Sequence, residues 1–66
     1  MVSKSRQKKI ARRIAALEQI REMNIGKNPE LAEKAEAELF TIPEKYNLGL
    51  GDLLEIDDMV QDILKK

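Results

Sequence analysis

The stretch Ser3–Asn24, SKSRQKKIARRIAALEQIREMN, decides the fold: its apolar residues keep helical spacing while its charges break helical rules. Ile10, Ile14, Leu17 and Ile20 follow steps of four, three and three, the repeat of one helix face, and Ala16 and Met23 widen the stripe. A stripe this broad needs two neighbours. Ala11, Ala15 and Ala16 raise helix propensity, and Gly26, supported by Asn24 and Asn28, is expected to provide a left-handed stop. These signals place a helix from about Ser5 to Ile25.

Outward from it, Asn28-Pro29-Glu30 reads as the start of a second helix, with a cap, a proline preset for the first turn and an acid at the positive dipole end. Its stripe is Leu31, Ala35, Leu39 and Ile42, and Glu30 and Lys34 have the favourable i to i+4 ion-pair spacing. Pro43 disfavours helical geometry at Ile42, so this helix is expected to end near Phe40 or Thr41. Thr41-Ile42-Pro43-Glu44 then fits a capping box for a short extra helical turn over residues 43–47. After Gly49-Leu50-Gly51, read as a turn, Asp52 is expected to cap the last helix, with Glu55 completing its box. Leu53, Ile56, Val60, Ile63 and Leu64 form its stripe, and Lys65 and Lys66 place positive charge at the negative dipole end. The fold class implied is all-α: a small three-helix bundle in one domain spanning residues 1–66, with residues 1–9 a basic arm expected to fray.

Composition narrows what such a bundle can do. A 66-residue chain buries only about 60% of the surface its unfolded form exposes, which leaves little room for an enclosed active site. Aromatic residues make up 3% of the chain, so the core is aliphatic. Cys and His are both absent, removing disulfides, thiolate chemistry, the usual neutral-pH acid–base group and the commonest metal ligands. No pair of the remaining Lys, Tyr, Ser, Thr or carboxylate groups shares a buried helical face by spacing, so neither catalysis nor a small-molecule substrate or cofactor is expected. Asp57 and Asp58 are adjacent and diverge by about 100° on a helix, which argues against a metal site. Gly49-Leu50-Gly51 lacks the spacing and the Lys-Ser/Thr of a phosphate loop. No stretch approaches the roughly 20 apolar residues of a membrane span, and no apolar signal region follows the basic start, so a cytoplasmic location is expected.

The formal net charge is zero, yet residues 1–13 carry Lys4, Arg6, Lys8, Lys9, Arg12 and Arg13 with no acid. That segment is therefore +6 and the remainder −6. Lys4 and Lys8, Lys8 and Arg12, and Lys9 and Arg13 are like charges at i to i+4, each unfavourable by a few tenths of a kcal/mol, at the positive end of the helix dipole. A departure from local consistency marks a candidate site. These six residues are the expected contact for a nucleic-acid backbone, RNA or a ribonucleoprotein being favoured, because no zinc-ligand spacing, aromatic stacking motif or recognition helix for reading bases is present. The plainer reading is a solvated charge run that keeps the chain soluble. A membrane contact is not expected, since the apolar face lacks Trp or Phe and belongs to the bundle.

The alternative function is protein interaction, as an adaptor or a self-associating dimer in which the basic arm of one copy meets the acidic last helix of another. Glu55, Asp58 and Asp62 would present that acidic face, with Asp57 at the edge of the apolar stripe. Phe40 lies opposite the second helix's stripe and is expected to pack on the Pro43–Leu50 segment as core; if exposed, it would join Tyr46, Leu48 and Leu50 in a patch for a protein partner.

Overall fold

In the computed structural model, which describes residues 2–65, a serine starts the first helix. Ser3 is extended and its Oγ accepts the Arg6 N–H at 3.3 Å, so α1 runs Lys4–Asn24. Helix α2 spans Pro29–Lys45 and α3 spans Leu50–Lys65, and no strand occurs among the described residues. The protein is a small all-α bundle of three helices. Lys66, read as part of the last helix's basic end, lies outside the described residues.

Helix α1 is the shared support, because α2 and α3 each pack along it and meet one another only marginally. Leu17 and Ile20 line a groove with Leu31 and Ala35, so α2 covers the C-terminal half of α1. Gln7, Ala11 and Ile14 meet α3 across the N-terminal half. Small side chains mark both lines of contact: Ala11 and Ala15 on α1 and Ala32 and Ala35 on α2 are all buried, letting the helices approach closely. Ile10, Leu17, Ile42, Ile56 and Val60 fill the space between, with Ile14, Leu39, Leu48, Met59 and Leu64 packed around them. The Cα envelope measures 37 × 27 × 15 Å, the last being about the thickness of two helices.

Several expected details are corrected. Ile20 and Met23 are not core: they are 39% and 71% exposed. A three-residue step falls about 60° short of a full helical turn, so the run Ile14, Leu17, Ile20, Met23 spirals off the packed face within two steps. Leu31 is likewise 44% exposed, and Ala32 takes the buried position beside it. Phe40, expected in the core, is 75% exposed, and Leu50 is 76% exposed, whereas Leu48 does pack inward.

The helix ends differ from expectation as well. Gly26 is not left-handed: the turn stays right-handed through Ile25, Asn24 Nδ2 donates to the Ile20 carbonyl at 2.7 Å, and the Asn24 carbonyl accepts from Lys27 and Asn28. The Asn24 carbonyl, one of those left free at the helix end, is thus satisfied by the right-handed turn itself, without a left-handed glycine. Pro43 does not end α2, which continues to Lys45 with the proline inside it. Burial of Ile42, 2% exposed within the central cluster, holds the backbone helical against the proline's preference, and the separate turn expected over 43–47 is the last turn of α2. Beyond its last residue the chain turns off at Asn47, left-handed at φ 52, where Leu48 N–H reaches the Pro43 carbonyl at 2.9 Å and Asn47 N–H the Glu44 carbonyl at 3.2 Å. This is the Schellman pattern, with Leu48 as its apolar anchor. Nor does Asp52 stand outside α3. The helix begins two residues earlier, Gly49 takes the cap position, and Asp52 reaches back to accept the Gly49 N–H at 3.3 Å.

Candidate nucleic-acid interface

The serine cap and the burial of Gln7, Ile10 and Ala11 fix the orientation of α1 from its first turn. Lys4, Arg6, Lys8, Lys9, Arg12 and Arg13 are all exposed, and they occupy an arc of about 200° directed away from Ile10 and Ile14. The arc is about 14 Å long from Lys4 to Arg13 and contains no acid.

One of the six is committed elsewhere. Arg13 Nε donates to Glu38 Oε2 at 2.7 Å, joining α1 to α2 in an exposed ion pair. The hydrogen bond from Arg13 holds the Glu38 carboxyl below its ordinary range, and the same bond raises the Arg13 guanidinium. Thus Glu38 relieves the Lys9–Arg13 repulsion that the sequence shows. Lys4, Arg6, Lys8, Lys9 and Arg12 have no ion-pair partner among the described residues.

Sequence reasoning missed the residue that fastens this face to the bundle. Gln7 is 1% exposed, and its Nε2 donates to Asp52 Oδ1 at 3.1 Å and to Glu55 Oε2 at 2.8 Å. Since Asp52 also holds the Gly49 N–H, one amide ties the start of α1 to the first turn of α3. The signal was present: Gln7 is the one uncharged long side chain between Arg6 and Lys9, three residues before Ile10 on the same stripe. Lys45 and Tyr46 were also unlinked to the site by sequence. They line a surface hollow with Arg13 and Glu38, and Lys45 Nζ sits 5.7 Å from the centre of the Tyr46 ring. The basic surface thereby reaches the end of α2.

The acidic residues divide in the same way. Glu55 is engaged by Gln7, Asp62 lines a groove with Lys8 and Arg12, and Asp58 faces solvent. The basic start of α1 and the acids of α3, which could have matched across two copies, lie side by side in one chain. Phe40 is on the far side of α2 from its core stripe and Tyr46 lies next to Arg13, so the structure does not unite them. No group of three or more acids that could hold a metal ion occurs among the described residues, nor any helix long and apolar enough to cross a membrane. No known protein family, curated protein or solved structure matches this chain.

Proposed function

We propose that the protein is a non-enzymatic binding module that holds a nucleic-acid backbone on the outward face of the first turns of α1. One observation carries this reading: five exposed cations with no acidic partner among the described residues share one face of a helix that is capped and clamped at its start. Phosphate would relieve the mutual repulsion of these cations, releasing counterions as it binds. Lys8, Lys9 and Arg12 form the centre of the contact, Lys4 and Arg6 its outer end, and Arg13 a reserve cation held by Glu38.

The mode of recognition follows from what surrounds the face. The only aromatic beside it is Tyr46, already under Lys45, so stacking on single-stranded bases has little support. Recognition of backbone and shape suits duplex RNA, whose wide minor groove is read in that way, free or within a ribonucleoprotein. Fluorescence anisotropy on a labelled RNA duplex tests the proposal. On a DNA duplex of the same length, with about five phosphates neutralised, log K should fall against log salt with a slope of about −4 to −5. The triple variant Lys8→Gln, Lys9→Gln, Arg12→Gln should lose most affinity while keeping the wild-type circular dichroism, with a melting temperature no lower than wild type because three like-charge pairs are relieved. Absence of binding to RNA and DNA duplexes at low salt would refute it.

A further inference from the structure

We infer that the groove where α3 leaves α1 uncovered, on the flank of α3 away from Lys8 and Arg12, docks a basic amphipathic helix of a protein partner. The groove is lined by Ile14 of α1 and by Leu53, Leu54, Asp57 and Val60 of α3. Met59, Asp62 and Ile63, which border the basic face, lie across α3's line of contact, so the two surfaces are separate.

Two observations choose the occupant. Leu50 and Leu54, one helical turn apart, are 76% and 64% exposed and extend the groove as an apolar stripe. Acids frame that stripe: Asp57 is in the lining, Asp58 follows Leu54 by one turn, and both are exposed. An apolar stripe with acidic margins is complementary to a helix carrying apolar anchors at i and i+4 with Lys or Arg beside them.

A second copy docking through this same stripe is disfavoured, because it would bring the acids Asp57 and Asp58 of one copy against those of the other with no cation in the groove lining to offset them. Nucleic acid is repelled by the acids. The inference is independent of the RNA contact, and the two surfaces are read by different variants.

The probe is a synthetic 14-residue helical peptide with Leu at the anchor positions and Lys at the flanks, alongside the same peptide with Glu replacing Lys. Titrated into ¹⁵N-labelled full chain, the Lys peptide should shift the amides of Ile14, Leu53, Leu54 and Asp57, and the Glu peptide should not. Leu54→Lys and Asp57→Lys should each weaken binding by about tenfold, as loss of an anchor does, with RNA affinity unreduced. Conversely, the Lys8, Lys9, Arg12 triple variant should bind the peptide as wild type does. The inference is overturned if the peptide shifts no groove residue, if the Glu peptide binds equally, or if sedimentation equilibrium shows a dimer that Leu54→Lys dissociates.

Discussion

Gln7 shows how one side chain can make a repulsive segment part of a fold. Its amide donates to two carboxylates, while Oε1 is buried without a hydrogen-bond partner among the described residues. Reversing the amide would aim Oε1 at Asp52 and Glu55, so the assignment follows from charge. Replacing Gln7 with Leu removes the donor but leaves Asp52, 4% exposed, with only the Gly49 N–H. The expected loss is about 1–3 kcal/mol in urea unfolding, with fastest hydrogen exchange at the first turn of α3; an unchanged midpoint would remove the clamp. Glu38 poses a different question, because its pair with Arg13 is exposed and contributes little to stability. Its carboxyl titrates below the usual range, so its contribution is complete above the unfolded carboxylate pKa and is lost as pH falls through the depressed folded value. Glu38→Gln should therefore match wild type in acid and differ only slightly at neutral pH. On the proposed nucleic-acid contact a larger effect is expected: with Arg13 released, the log–log salt slope for duplex DNA should steepen by about 0.9. An unchanged slope would mean that Arg13 does not reach phosphate.

Among the elements, α2 illustrates a contest between local rule and tertiary demand. Pro43 cannot donate to the Leu39 carbonyl, yet the helix passes through it because Ile42 must stay in the cluster with Ile56 and Val60. Thr41 Oγ1 donates to the Glu38 carbonyl at 2.9 Å, one residue before the Leu39 carbonyl that the proline leaves without its donor. Pro43→Ala restores an N–H where the backbone is already helical, and should stabilise the protein by about 1 kcal/mol in denaturant midpoint without changing the m-value. A loss of stability would show that ring packing outweighs the recovered bond. The sequence made α1 and the existence of all three helices legible, since Ile10, Ile14, Leu17 and the Asn28-Pro29 start carry strong local signals. It also displayed the basic face, because the six cations are close in sequence. Three things needed the third dimension: the helix through Pro43, the spiral of Ile20 and Met23 out of the core, and the pairing of Arg13 with Glu38, 25 residues away. Local propensity is weak beside burial, and no pattern in the chain states which acid a given arginine will meet.

At the scale of the molecule, the fold is two helix pairs sharing one member. Because α2 and α3 scarcely meet, stability passes between them only through α1 and the central cluster. A chain of 66 residues has about 3–10 kcal/mol in total, so a single core truncation is a large fraction of it. Ile56, 1% exposed at the centre of α3, is the sharpest test of this coupling. Ile56→Ala should cost about 2–5 kcal/mol, enough to populate the unfolded chain at ambient temperature. If α1 transmits the loss, helix signal should fall for the whole chain in one transition, with amides of α2 as far away as Ala32 and Ala35 losing protection alongside those of α3. RNA binding should fall in proportion to the folded fraction, because the cations act together only while α1 is held, and excess duplex should restore helix signal by mass action. The opposite result, α2 and α1 remaining native while α3 alone melts, would make the α1–α2 hairpin an independent unit. It would also make the Gln7 clamp dispensable to the basic face.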